Sequence, residues 1–147
     1  MKSIYNSNDN HELVNRINQI SSESKPLWGK MSVDQMCEHC LLTSNVAFGK
    51  QELKINFLMK LVGKMMKNKF FNSEFKKNSP TAPEFIFKKS FDLDNSKSEL
   101  IKNIQLLQDG QKTITVMNHP FWEKMSHEDW DKLMYNHMGH HLKQFGV

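Results

Sequence analysis

Two histidines one helical turn apart, His137 and His141, are the residues of this chain best spaced to hold a metal ion. At about 100° per residue, positions i and i+4 lie about 40° apart on one helix face, so both imidazoles can converge on one point. They share their stripe with Trp130, Leu133, Met134 and Gln144, the residues that would face a core. Two readings are open for the pair: chelation of one ion, or core-edge histidines satisfied by hydrogen bonds. His140 falls about 60° to one side of His137, at the margin of the stripe.

A metal needs a third ligand, and His39 offers one. It stands in Gln35-Met36-Cys37-Glu38-His39-Cys40-Leu41, about 60° beyond Met36 and past the edge of a broad apolar face. From there it can look at a neighbouring helix, or serve as an edge residue. Cys37 and Cys40 form a Cys-x-x-Cys pair that could ligate zinc together with a histidine. Their place near the centre of the apolar face favours the other reading, in which free cysteines behave as small hydrophobes.

These side chains need helices to position them, and the helix starts are written in capping residues. Ser32 with Gln35 three residues on is a capping box, with Met31 and Met36 at the positions of a hydrophobic staple. Ser126 is a looser version, with Met125 against Trp130. Ser96 with Glu99 predicts another start, ahead of Leu100, Ile101, Ile104 and Leu107, and Gly110 predicts its end. Leu13, Ile17 and Ile20 recur at helical spacing. The expectation is four helices near 9–22, 32–49, 95–109 and 126–145, in a single all-α domain over 1–147.

The 50–90 segment is then a long crossover between the second and third helices, with one or two further helices in its apolar, Lys-dotted first half. Ser79-Pro80-Thr81-Ala82-Pro83 predicts an extended, turn-like path. The β-like run Lys112–Val116 is too isolated to make a sheet.

Bulk properties narrow the function. With 147 residues, 38% hydrophobic and 24% charged, the chain suits a folded, soluble protein. The net charge of +4 does not predict nucleic-acid binding, because Arg16 is the one arginine among 20 basic residues. No apolar run approaches the roughly 20 residues of a membrane span, and no secretory signal is visible. With two cysteines three apart and no sign of an oxidising compartment, the expected location is cytoplasmic. Residues 53–71 mix Leu, Phe and Met with Lys54, Lys60, Lys64, Lys67 and Lys69. We read them as a connector helix packed over the bundle or in a dimer interface; the alternative is association with a membrane surface.

The tail His137-Met138-Gly139-His140-His141-Leu142-Lys143-Gln144-Phe145-Gly146 resembles the closing helix of the DinB/YfiT superfamily of metal-binding four-helix bundles. Trp28-Gly29-Lys30-Met31-Ser32, through Gln35-Met36 to His39, is similar to that family's second helix. His119-Pro120-Phe121, Ser126–Trp130 and Thr81-Ala82-Pro83 resemble an uncharacterised branch of it. The resemblance implies an up-down-down-up bundle with a helix-containing crossover and one divalent ion, nickel or zinc, on His39, His137 and His141. Gln144 matches a polar residue that follows the late pair. Lys143 and Glu123 depart from the pattern, since glycine is frequent at both places.

Three neutral imidazoles leave a coordination position open, which separates a reactive centre from a closed structural one. Such an ion can lower the pKa of bound water or of a thiol, or polarise a carbonyl. The resemblance implies transfer of a low-molecular-weight thiol to an electrophile, a thiol S-transferase acting on a small-molecule substrate, and a homodimer; an open three-histidine ion also suits a hydrolase. Tyr135, His140, Gln144 and Glu38 are candidates for supporting the ligands or relaying protons. A non-catalytic metal-binding or structural bundle is the alternative.

Overall fold

A computed structural model describes residues 2–79 and 81–147, so Pro80 of the expected extended path lies outside the described residues. The chain is mainly helical. Helix α1 (Ser7–Asn18) begins at Asn6, whose side-chain oxygen accepts from the amides of Asn8 and Asp9 at 3.0 and 3.2 Å. This cap starts the helix two residues before the expected position 9. The first helix then ends at Asn18, where Gln19 and Ile20 turn back onto Arg16 and Ile17.

Helix α2 (Val33–Ala47) starts at Ser32, whose amide donates to Gln35 Oε1 at 3.2 Å, as the capping box predicts. It ends in a glycine turn: Gly49 has φ +70°, its amide donates to Val46, and the amide of Lys50 donates to Asn45. That pairing satisfies the last carbonyls of the helix. Helix α3 (Phe57–Phe71), capped by Asn56, lies in the crossover, and a single 3-10 turn follows at Pro83–Phe85.

Helix α4 (Leu93–Leu107) corrects two expectations. Its cap is Asp92, which accepts from the amide of Asn95 at 3.0 Å, and Ser96 lies inside the first turn. The Ser96 hydroxyl instead donates to Glu38 Oε2 at 2.6 Å, tying α4 to α2. Gly110 does not end this helix. It opens a four-residue turn, α5 (Gly110–Thr113), and the Tyr5 ring packs where its Cβ would stand.

Lys112–Val116 forms no strand, as expected; the amides of Thr115 and Val116 donate to the Ala47 carbonyl. A small hairpin lies just beyond, with β1 (Asn118–His119) antiparallel to β2 (Glu123–Lys124). His119 shapes it, since its Nδ1 accepts from the amides of Phe121 and Trp122 at 3.0 and 3.2 Å.

Helix α6 (His127–Gln144) has a complete capping box, with Asp129 N donating to Ser126 Oγ at 3.1 Å and Ser126 N to Asp129 Oδ2 at 2.9 Å. Helix α2 packs along α4, α1 meets α4 and α6, and α2 meets α6. Leu13, Ile17, Met36, Leu100, Ile104, Trp130 and Met134 fill the space between them. Asn103 bridges the α2–α4 seam, donating to Ser44 Oγ and Asn45 Oδ1 at 2.8 and 2.9 Å. Among the described residues no helix is long and apolar enough to cross a membrane.

Candidate metal centre

Where α2 meets α6, His39, His137 and His141 come together. One ring nitrogen from each lies within 4.8 Å of the other two, and among the described residues they are the group of three or more potential ligands that could hold an ion. His39 Nε2 stands 2.9 Å from His137 Nε2. All three are buried, at 3%, 7% and 9% exposure. At a metal–nitrogen bond of about 2.0–2.1 Å, two nitrogens stand ~2.9 Å apart at a right angle and ~3.4 Å apart at a tetrahedral angle. The pair thus has the separation of neighbouring ligands on one ion.

The helical wheel puts His39 at the edge of its helix's apolar face, and the crossover explains its deep burial. Phe85, on the 3-10 turn, meets His39 edge-on with ring centroids 5.3 Å apart. Phe75 covers His137 in the same way at 5.8 Å. Both aromatics come from the long connection, so that segment roofs the histidines. Sequence periodicity within a helix carries no signal for such a cover.

Burial sets the protonation of the cluster. It holds His39 and His137 well below the usual histidine range, and their neighbouring imidazoles push in the same direction. His141 is brought down to about 4, chiefly by burial, against the opposing effect of its hydrogen bond to Gln144. The three rings therefore stay neutral at physiological pH, and a neutral imidazole offers a lone pair to a cation. The cluster contains no carboxylate, so its donor set is all nitrogen.

Gln144 decides which His141 nitrogen is free. Its Nε2 donates to the Trp28 carbonyl at 2.8 Å, and only the NH2 end of the amide can donate to that oxygen. Its Oε1 is thereby turned to His141 Nδ1, 2.9 Å away. The proton of His141 must then sit on Nδ1, leaving the Nε2 lone pair available. Gly29 permits this: it has φ +79°, and a Cβ there would lie 2.8 Å from Gln144 Nε2. The amide of Leu27 also donates to the Gln144 carbonyl at 2.7 Å, so the loop before α2 grips the end of α6. His39 and His137, by contrast, have no hydrogen-bond partner at Nδ1 among the described residues.

A cavity of about 350 Å³ borders the cluster at His141, lined also by Trp28, Thr81, Phe85, His140 and Gln144. That volume suits a small molecule. His140 is half-buried on its wall, with its ring against those of Trp28 and Phe75 at 5.6 and 5.8 Å.

The other two supporting candidates lie elsewhere. Glu38 accepts from Ser96 in the α2–α4 seam. Tyr135 points to the N-terminal segment, where Glu12 and Lys2 surround its phenol. Neither takes part in the cluster: Glu38 is one residue, about 100°, from His39, and Tyr135 is about 200° from His137. Cys37 and Cys40 are free, buried thiols; burial pushes Cys37 up to about 12 and Cys40 well above its ordinary range. Among the described residues no group of three potential ligands includes either thiol, which weighs against the rival zinc site. Phe75 and Phe85 are the residues around the site that sequence reasoning missed; Trp28 and Gly29 stand in the motif before α2, which gave no sign of their contacts with Gln144.

Residues 3–146 match the model of a family described as a protein of unknown function (DUF1569). No curated protein and no solved structure matches the chain.

Proposed function

We propose, for a chain that belongs to the DUF1569 family, a centre in which His39, His137 and His141 hold one divalent ion, nickel or zinc, with a coordination position open toward the cavity. The convergence of three buried, neutral imidazoles carries this reading, above all the 2.9 Å approach of His39 Nε2 to His137 Nε2. Two adjacent neutral rings can share one proton between those atoms, but a single cation satisfies both lone pairs at once. The fold reading extends with it: α1, α2, α4 and α6 as the four helices of one DinB-like up-down-down-up bundle, with α3 in the crossover.

Bound there, an ion supplies Lewis acidity that activates a water or a low-molecular-weight thiol, or polarises a carbonyl. The residues of the chain do the rest. Gln144 keeps the Nδ1 proton on His141 and fixes the ring. Phe85 and Phe75 keep solvent from His39 and His137. The cavity receives a small substrate, and His140 on its wall can carry a proton to or from it. The reaction class we favour is thiol transfer to an electrophile, or hydrolysis.

A second reading is a metal-binding bundle without turnover. It draws on the bare Nδ1 atoms of His39 and His137, since tuned centres ordinarily support every ligand. Elemental analysis of the wild-type protein beside His137→Ala tests the centre. The wild type should carry close to one equivalent of nickel or zinc and the variant little; equal contents would overturn the proposal. A screen of thiols with electrophiles on the loaded protein then separates the two readings.

A further inference from the structure

Helix α3 presents a wide apolar face to solvent. Phe57 is 83% exposed, Met65 77% and Leu58 68%, and Leu61, Val62 and Met66 stand open beside them. At about 100° per residue these six side chains cover one side of the helix. Lys60 and Lys64 border that side and Lys69 stands within it near the C-terminal end. The helix contains no acidic residue.

This face is outward by construction. The opposite side is seated at Gly63, where the Phe121 carbonyl occupies the place a Cβ would take. Lys67 is paired with Asp129 at 2.9 Å and donates to the Lys124 carbonyl. Phe71 packs on Trp122 with ring centroids 5.4 Å apart. The sequence reading of a packed connector thus holds for the narrow inner side alone. The helix cannot roll to bury its apolar side without breaking all three contacts.

We propose that α3 is the docking face for an anionic phospholipid surface, lying in the interface plane with Phe57, Leu58, Leu61, Val62 and Met65 in the acyl boundary. The charge pattern selects this occupant. Among the described residues Lys54, Lys60 and Lys69 have no carboxylate partner. Their long stems can lie along the apolar face while the ammonium groups reach a layer of phosphates. A second copy meeting α3 on α3 would bring two sets of these lysines into one interface, with no acid on the helix to compensate. The proposal is independent of the metal centre.

Vesicle sedimentation of the full chain tests it. Vesicles containing phosphatidylglycerol should pellet the protein, less so as salt rises, and vesicles of phosphatidylcholine alone should pellet little. The triple variant Phe57→Ser, Leu61→Ser, Met65→Ser should lose about tenfold or more in partitioning, with unchanged helical circular dichroism. Lys60→Glu with Lys69→Glu, at two exposed positions, should abolish the preference for phosphatidylglycerol. No pelleting with anionic vesicles would overturn the proposal, as would a preference that survives the charge reversal. So would a wild-type dimer, measured by analytical ultracentrifugation, that the triple variant dissolves and anionic vesicles leave intact.

Discussion

His141 Nδ1 lies 2.9 Å from Gln144 Oε1, and the same amide donates at 2.8 Å to the carbonyl of Trp28. One side chain therefore fixes the tautomer of a candidate ligand and ties it to the loop before α2. Gln144→Leu removes both bonds with little change in volume. We expect it to weaken nickel or zinc binding by about 10–100-fold, measured by competition with a chromophoric chelator. Gln144→Glu keeps an acceptor for His141 and should bind metal far better than the Leu variant. Equal affinities for the two would show that the Nδ1 contact does not matter.

Gly29 carries two requirements that two variants can separate. Its φ of +79° disfavours a side chain, and a Cβ would press on Gln144 Nε2. Gly29→Ala should lower stability by about 1–3 kcal/mol and loosen His141. Gly29→Asn tolerates the backbone better but still meets Gln144. It should recover much of the stability, read from urea unfolding, and little of the metal affinity. If Asn restored both, backbone strain alone would be at work.

Local patterns carried much of this molecule. The cap residues Ser32 and Ser126 and the i, i+4 pair His137 and His141 each depend on one stretch of helix, and sequence spacing predicts them. The missed features depend on distant partners. His39 is an edge residue on its own helix and becomes buried because Phe85 arrives from the crossover. Ser96 is a credible cap whose hydroxyl goes to Glu38 on another helix. Gly110 looks like a helix stop and in fact makes room for Tyr5. Glu38 and Tyr135 lie away from the cluster for a simpler reason. Both stand on the wrong sides of helices whose ligand-bearing faces were already readable.

Cys37 and Cys40 should be dispensable for metal. Both are fully buried, and neither belongs to the cluster of His39, His137 and His141. The double variant Cys37→Ala, Cys40→Ala should retain the wild-type metal content while losing about 1–3 kcal/mol of stability to the small cavities it leaves. In the native protein neither thiol should react with an aromatic disulfide reagent until denaturant is added. A loss of metal in the folded double variant would revive the Cys-x-x-Cys site.

Acid should destabilise the fold well before its carboxylates titrate. Burial brings both His119 and His141 down to about 4, from an ordinary value of 6.5. Above pH 6.5 neither the folded nor the unfolded chain protonates them, and their contribution is complete. As pH falls below 6.5 the unfolded chain takes up protons that the folded chain refuses until about pH 4, so stability declines across that window. Each such histidine contributes a slope of about 1.4 kcal/mol per pH unit. Urea unfolding at a series of pH values should show this decline, and a flat profile between pH 6.5 and 4 would contradict it. His119→Asn keeps a side-chain acceptor for the hairpin amides and removes one titrating group, so its slope should be shallower. Added nickel or zinc should raise the whole curve and delay the acid limb, because neutral imidazoles are the form that binds.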